Sequence, residues 1–352
     1  MSWYKAALVA SVLAVVLSAC GAGGDGATSS GPGATSGGAA AKTKVNFVLN
    51  YTPGPQHTEF VVGKSSGYYE RAGLDVNMTS PAATTDPVKL VASGQADLGV
   101  GYAGDVISAV AQDVPVISVA TIHRHLSLGL LSKPGSGITT PQSLVGKTVG
   151  LTPIPANRAL FDEFLRRNNV DKSKVKIVPV NFNGPQLVAA GNIDAADSVT
   201  FYENPLYKQL TGQTPEFVLF TKFGVPDSYY FTIITSKRFL AQHPDTVKKF
   251  VAATLEAEKW TLEHPAEAQK MLISNVKGVE PEFATSSREA LKTVIVDNAS
   301  QQHGLGWSDE AIWAQQAKFF ADTGQIKKTV STQDIFTNDA LPDQPVKVTP
   351  AP

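Results

Sequence analysis

Leu90-Val91-Ala92-Ser93-Gly94-Gln95-Ala96-Asp97 is echoed 97 positions later by Leu187-Val188-Ala189-Ala190-Gly191-Asn192-Ile193-Asp194, with five identities in eight residues. In both copies an amphipathic run ends at a glycine and an apolar run follows, which is how a helix hands over to a strand. Working outward from the first copy, the pattern predicts strands over 45–50, 74–78, 96–101 and 116–121, with helices over 56–72, 87–93 and 104–112. Around the second copy it predicts strands over 147–151, 175–180 and 193–199, with helices over 156–168 and 185–190. Pro53 and Pro153 fall in matching first strand-to-helix loops. The repeated octet and the repeated element order together predict two similar α/β lobes. Such lobes leave a cleft between them, and ligands of open α/β sheets sit beyond the carboxyl ends of the strands. Segments 127–133 and 229–235 are expected to cross between the lobes. The C-terminal third reads as helical and is expected to pack on the first lobe. There Pro244 opens a run with Val247, Phe250, Val251, Leu255 and Ala257 on roughly one face. Ser308 is the expected N-cap of a helix bearing Ile312, Trp313, Ala317 and Phe320, which Gly324 would end.

The 352 residues carry 30 Lys+Arg against 31 Asp+Glu, a formal charge of −1. That balance argues against a nucleic-acid partner, which needs a clustered basic surface to displace counterions. Apolar residues, at 43%, suffice for the cores of about two domains. Charged residues are only 17%, a low share that exported proteins often have. The single cysteine excludes a disulfide framework and a multi-cysteine zinc site. Beyond the N-terminus no apolar run approaches the ~20 residues needed to span a bilayer.

Residues 1–19 read as a secretion signal: Lys5 supplies the positive end, Ala6 to Leu17 the short apolar run, and small residues follow. Leu17-Ser18-Ala19-Cys20-Gly21 resembles the lipobox of bacterial lipoproteins, which implies cleavage before Cys20 and a lipid anchor on its thiol. Gly21 to Ala41 holds eight glycines in 21 residues and no aromatic, so it is expected to be a flexible tether with a reach of ~25 Å. The expected organisation is a signal at 1–19, Cys20 and its tether at 20–42, a discontinuous first lobe from 43–132 and 234–337, and a second lobe from 133–233. A Pro-rich tail at 338–352 is expected to lie extended along the surface or to fray.

Reactive signatures are sparse. Gly99-Val100-Gly101-Tyr102-Ala103-Gly104 fits GxGxxG, yet no Asp or Glu lies between Val114 and Phe161 to hold a ribose, and Asp105 would repel a pyrophosphate. The stretch reads instead as a tight turn bringing a helix start, with Tyr102 and Asp105, to the cleft rim. His123 and His125 flank Arg124 with no third ligand nearby, so no metal is expected. No GxSxG elbow between a strand and a helix, no P-loop and no HExxH motif is present in the sequence. Aromatic and acidic residues in predicted loops are more telling. Tyr51 follows the first strand, Tyr102 and Asp105 the third, Tyr202 and Glu203 the equivalent strand of lobe two, and Tyr229 and Tyr230 stand at the return crossing. A carboxylate at either helix start is also what the helix dipole favours. Their matching placement in both lobes, each near a tyrosine, favours a cleft that sandwiches a flat ring and accepts a hydrogen bond from a ring amine.

Gly67-Tyr68-Tyr69-Glu70-Arg71-Ala72-Gly73-Leu74-Asp75-Val76 and Ser143-Leu144-Val145-Gly146-Lys147-Thr148-Val149-Gly150 resemble segments of the substrate-binding proteins of ABC importers, in the branch shared by thiamine-pyrimidine-precursor and sulfonate/nitrate/taurine binders. The resemblance covers about residues 45–323 and implies a two-lobed periplasmic-binding-protein type II fold. Asn50-Tyr51-Thr52-Pro53 with His57 is similar to the W-x-P-x-x-x-H stretch of the pyrimidine-precursor binders. Asp86-Pro87, Tyr102 with Asp105, His125, Val180-Asn181-Phe182-Asn183, Tyr202-Glu203 and Gly224-Val225-Pro226 fit their pattern as well. The resemblance places Tyr51, His57, Tyr102, Asp105, Asn183, Tyr202 and Glu203 near the ligand. Tyr51 replaces the family's tryptophan, so ring stacking carries over but the identity of the ring does not. The implied protein is a monomer without cofactor, anchored through Cys20 on the extracytoplasmic face of the cell membrane. It captures a small heteroaromatic, nitrogenous solute, leaves it unaltered and delivers it to a permease with a cytoplasmic ATPase. The alternatives are a sulfonate, nitrate or taurine binder, against which Asp105 and Glu203 count, and a pyrimidine-synthesising enzyme on the same fold. The related eukaryotic enzyme uses a cysteine-rich iron motif, and this chain has no cysteine after Cys20.

Overall fold

The computed structural model describes residues 41–81 and 86–348. The signal, Cys20, nearly all of the tether and the last four residues of the tail lie outside the described residues. None of the described helices is long and apolar enough to cross a membrane. Among the described residues ten strands form two five-stranded sheets: β1 (Thr43–Val48), β2 (Leu74–Thr79), β3 (Leu98–Tyr102), β4 (Val116–Thr121), β5 (Leu128–Ser132), β6 (Thr148–Leu151), β7 (Lys176–Pro179), β8 (Ala195–Val199), β9 (Glu216–Leu219) and β10 (Phe231–Ser236). The orders are β2-β1-β3-β10-β4 and β7-β6-β8-β5-β9. The two orders are the same plan, with β1, β2 and β3 of one sheet equivalent to β6, β7 and β8 of the other.

The repeated octet does the same job in each sheet. Gly94 and Gly191 both take the left-handed conformation at the helix end, with φ of 79° and 80°. Asp97 Oδ2 then accepts from Asn46 N at 2.7 Å, and Asp194 Oδ2 accepts from Thr148 N at 2.7 Å. Each carboxylate satisfies a backbone donor of β1 or of β6, the strand that β3 or β8 then joins in parallel.

The fourth strand of each sheet arrives by a lobe crossing. β5 enters the second sheet antiparallel to β8, and β10 returns to the first antiparallel to β3. The crossings therefore run through residues 122–127 and 224–230 rather than 127–133 and 229–235. Both expected segments are mostly strand because each antiparallel partner needs the new strand's backbone groups. Gly129 in β5 is required by close approach: a Cβ there would come within 2.3 Å of the Val218 carbonyl oxygen. By the same criterion the glycines of 99–104 are packing devices, since a Cβ at Gly99 would strike Val48 and one at Gly104 would strike Phe320.

The C-terminal helices pack on the first sheet. Val247, Phe250, Val251, Leu255 and Ala257 of the helix Pro244–Glu263 are all fully buried, and the Phe250 ring lies 4.8 Å from that of Phe47 in β1. Two local expectations change. The predicted helix over 56–72 is a 3-10 turn (Pro55–His57) and two helices, Thr58–Ser65 and Tyr68–Arg71, interrupted at Gly67 with φ 73°. Asp309, one residue after Ser308, caps the helix Glu310–Asp322 by accepting from Ala311 N, while the Ser308 hydroxyl is buried against Thr121 Oγ1 at 2.7 Å. The described part of the tail runs along the surface with Ala340 and Val346 buried, and Val346 O accepts from Leu305 N.

A polar clasp joins the two crossings. His125 Nδ1 lies 2.6 Å from Asp227 Oδ2, its Nε2 lies 3.6 Å from Asp297 Oδ2, and Arg124 Nε lies 2.8 Å from Asp297 Oδ1. The hydrogen bond to Asp227 holds the His125 pKa above its ordinary value. A histidine raised in the folded state adds stability that is fully present below its unfolded pKa of about 6.5 and is lost as pH rises through the folded value. The pair is half-exposed, so the effect is small. Between pH 6 and 8 the melting temperature is expected to fall roughly 1–2 °C further in the wild type than in Asp227→Asn. Parallel slopes in a calorimetric pH series would contradict this.

Candidate functional site

The carboxyl ends of β1, β3, β6 and β8 converge on one cavity between the sheets, of about 550 Å³ with its mouth included. From the first lobe Asn50, Tyr51 and Gln56 line it just past β1, and Tyr102 closes β3. From the second, Thr152 and Ile154 follow β6, Phe182 follows β7, Asp197, Ser198 and Val199 end β8, and Tyr202 and Glu203 open the next helix. Tyr230 and Phe231 come from the return crossing and the start of β10.

Aromatic rings span the mouth. Tyr51 from the first lobe lies 5.6 Å from Phe182 and 6.0 Å, edge to face, from Tyr202 of the second. Phe182 is held at φ 58°, an uncommon conformation for a bulky side chain and one that often marks a functional position. Tyr102 packs edge-on to Tyr230 at 5.3 Å and to Phe231 at 4.9 Å. Burial raises the pKa of all four tyrosines, that of Tyr202 to about 12, so each keeps its phenolic proton and remains a hydrogen-bond donor near neutral pH.

The polar wall is acidic. Asp197, only 5% exposed, accepts from Thr152 N at 2.9 Å, Thr152 Oγ1 at 2.5 Å and Asn157 Nδ2 at 3.2 Å. Glu203 Oε2 accepts from Val199 N at 2.9 Å. Burial, reinforced by the charge of Asp197, pushes the Glu203 pKa up to about 7. Burial likewise raises Asp197, against the pull of its hydrogen bonds. Among the described residues no lysine or arginine lines the cavity. Gln56 Oε1 is buried without a hydrogen-bond partner, a free acceptor in the wall, while the Asn50 side chain pairs with both His57 and Tyr102. Leaving such an acceptor unpaired costs free energy, so it favours a polar guest that donates to it.

Of the residues singled out in the sequence, Tyr51, Tyr102, Tyr202 and Glu203 line this cavity. His57, Asp105 and Asn183 stand behind its wall. His57 is fully buried, and its Nε2 lies 2.7 Å from Asn50 Oδ1. Burial lowers its pKa to about 3, so the ring is neutral and serves to orient Asn50. Asp105 lies in the first turn of the helix Ala103–Val110, where burial raises its pKa to about 6. It sits two residues into its helix whereas Glu203 is the first of its own, and that offset turns Asp105 off the wall. Asn183 Oδ1 accepts from Asn181 N, which leaves Phe182 to face the cavity. His123 is wedged between Phe201 and Phe231 at 4.9 and 4.6 Å, its pKa lowered by burial to about 3. Asn50, Gln56, Thr152, Asn157, Phe182 and Asp197 carry much of the wall and were not singled out. Asp197 had a readable signal, a carboxylate in the middle of the predicted strand, which burial tolerates only with partners.

A formylaminopyrimidine-binding protein from Halalkalibacterium halodurans is 26% identical over 297 residues, covering 84% of this chain and 89% of that protein. A 4-amino-5-hydroxymethyl-2-methylpyrimidine phosphate synthase from Legionella pneumophila is 23% identical over 308 residues, covering 87% and 95%. The periplasmic aliphatic sulphonate binding protein SsuA from Escherichia coli shares the fold, with a TM-score of 0.64 at 15% identity over 85% of this chain and 99% of that one. The architecture is that of periplasmic binding proteins. Residues 54–268 match the family model described as NMT1/THI5-like, more than half of the sequence, and the chain belongs to that family.

Proposed function

We propose that this protein is the solute-binding subunit of an ABC importer, capturing a small, flat, amine-bearing heteroaromatic solute and passing it unaltered to a membrane permease with a cytoplasmic ATPase. The observation that carries the reading is the charge inventory of the cavity: two carboxyl groups, Asp197 and Glu203, and no lysine or arginine in the wall. A ring amine donating to a carboxylate makes a charge-assisted bond, stronger than a neutral one. A sulfonate or nitrate in the same place would face two acids with no cation to answer it. The likeness to SsuA is therefore one of fold, and the formylaminopyrimidine-binding relative is the better guide to ligand class.

Closure supplies the mechanism. Tyr51 on one lobe and Phe182, Tyr202 and Glu203 on the other all line the cavity, so a guest between them adds contacts that only the closed state completes. Such differential affinity is what shifts an open–closed balance. The synthase relatives keep an enzymatic reading in view. Against it stand the absence of cysteine after Cys20 and a wall whose acids are engaged in hydrogen bonding rather than aligned with a nucleophile. The reading includes export through the 1–19 signal, lipid attachment at Cys20 on the extracytoplasmic face, and action as a monomer.

Thermal shift tests the choice. A ligand at 100 times its dissociation constant stabilises by ~2.7 kcal/mol, several degrees in melting temperature for a protein of this size. A shift with 4-amino-5-hydroxymethyl-2-methylpyrimidine and none with taurine or nitrate is expected. The reverse pattern would move the protein to the oxyanion binders, and turnover of the pyrimidine in a chromatographic assay would make it an enzyme.

A further inference from the structure

The 3-10 turn Pro55–His57 borders two cavities. Gln56 lines the ligand cavity, and Pro55 lines a second one of about 720 Å³, mouth included, which shares no lining residue with the first. This second cavity lies among the helices Thr58–Ser65, Pro244–Glu263 and Pro281–Ile295 of the first lobe, and its wall carries both signs of charge. Glu59 and Glu258 are 4% and 2% exposed, and the Oε1 of each is buried without a hydrogen-bond partner. The threonines of the wall do not supply one: Thr58 Oγ1 donates to Pro55 O at 2.7 Å, and Thr261 Oγ1 donates to Ala257 O at 2.8 Å. Arg288 adds a buried Nη1 that is likewise unpartnered, and Lys292 follows it one turn along the same helix. Leu262, Leu291 and Ile295 supply the apolar part of the wall.

We propose that this cavity is a second binding site, for a small zwitterionic amine–carboxylate with an aliphatic body: its ammonium group donates to Glu59 and Glu258, and its carboxylate accepts from Arg288. The proposal does not depend on how the ligand cavity is read. A plain cation would leave Arg288 unanswered, and a plain anion would sit beside two acids. A molecule carrying both charges pairs each buried polar atom that the fold leaves unpaired at a cost in free energy. An aliphatic body covers Leu262, Leu291 and Ile295. Burial, and for Glu258 the charge of Glu59 as well, keeps both carboxyls protonated near neutrality, although Arg124 draws Glu258 the other way. Arg288, Glu289 and Lys292 are the other charged groups of the wall. The ammonium group is therefore expected to displace a proton from the acid pair as it binds.

The test is titration calorimetry with three probes: L-leucine, 3-methylbutylamine, which lacks the carboxylate, and 4-methylpentanoate, which lacks the amine. In the wild type leucine is expected to bind roughly tenfold tighter than either of the others. Its binding is also expected to release a proton at pH 7, read as a heat that differs between phosphate and Tris buffers. Glu258→Gln is expected to weaken leucine roughly tenfold. Arg288→Met is expected to bring leucine and 3-methylbutylamine to within about twofold of each other. Arg288 is partly exposed, so its replacement keeps the proposal testable if Glu258→Gln fails to fold. Equal binding of leucine and the amine by the wild type overturns the proposal, as does a leucine affinity that survives both variants. A heat of leucine binding that is the same in both buffers takes the acid pair out of the site and overturns it. Leucine binding that Tyr51→Ala abolishes belongs to the ligand cavity and overturns it too. Failure of all three probes to bind overturns the second site and leaves the solute-binding reading of the ligand cavity standing.

Discussion

Glu203→Gln is expected to weaken binding of an aminopyrimidine by roughly ten- to a hundredfold, the loss of one hydrogen bond to a charged acceptor worth ~1.5–3 kcal/mol. The amide keeps the size of the side chain and an oxygen for Val199 N, so the change isolates the charge. With its pKa pushed up to about 7 by burial, Glu203 is part-protonated near neutrality, and an amine donor selects the ionised form. Affinity in the wild type is therefore expected to fall as pH drops from 8 to 6, and to stay nearly level in Glu203→Gln. The free protein changes in the opposite sense. A carboxyl raised in the folded state contributes stability that is present below its unfolded pKa, near 4.5, and is lost as pH rises through about 7. The variant lacks that loss, so at pH 8 its unliganded melting temperature should equal or exceed that of the wild type. Unchanged affinity in titration calorimetry would remove Glu203 from the binding role.

A second large effect is expected away from the cavity. Glu59, on the helix Thr58–Ser65, and Glu258, on the helix Pro244–Glu263, are 4% and 2% exposed, and the Oε1 of each lacks a partner. Burial raises Glu59 to about 8, and burial together with the charge of Glu59 raises Glu258 well above its ordinary value. Arg124 pulls Glu258 the other way without offsetting the burial. Both groups are therefore neutral in the folded protein at pH 7 and ionised in the unfolded chain. The stability they confer is present below about 4.5 and is lost as pH climbs through 8. The wild type is expected to lose several degrees of melting temperature between pH 5 and 8.5, and Glu258→Gln to retain most of them, because it removes one acid and the repulsion it causes. Coincident melting curves for the two proteins across that range would mean that the carboxyls are satisfied in some other way.

The pairing of Asp97 with Asn46 and of Asp194 with Thr148 explains why the octet was so informative. Its leucine, valine and alanine lie along a helix, its glycine ends the helix with positive φ, and its aspartate ties the next strand's start to the sheet. Local chemistry sets all of these, so each is visible in eight residues. The sheet orders were less legible, because the partner of β5 is decided by which open edge it meets after the crossing, and an apolar run reads alike whichever sheet it joins. In the cavity, Tyr51, Tyr102, Tyr202 and Glu203 could be found because they follow strands directly. His57 and Asn183 were placed by motif likeness, and a motif fixes a position in the chain but not which way its side chain turns. Asp197 was missed because its acceptability in a strand depends on Thr152 and Asn157, 45 and 40 residues away.

By itself the sequence determined a duplicated α/β plan, a cleft edged by tyrosines and a glutamate, and a helical C-terminal third, since short-range periodicity, caps and turn residues encode each of them. Only the tertiary structure decided that β5 and β10 exchange lobes, that Asp197 and Glu203 share one wall on which, among the described residues, there is no lysine or arginine, and that Phe182 faces Tyr51. Those features depend on distances between residues tens to hundreds of positions apart, and burial, pairing and shifted ionisation come into being only when the chain has closed those distances.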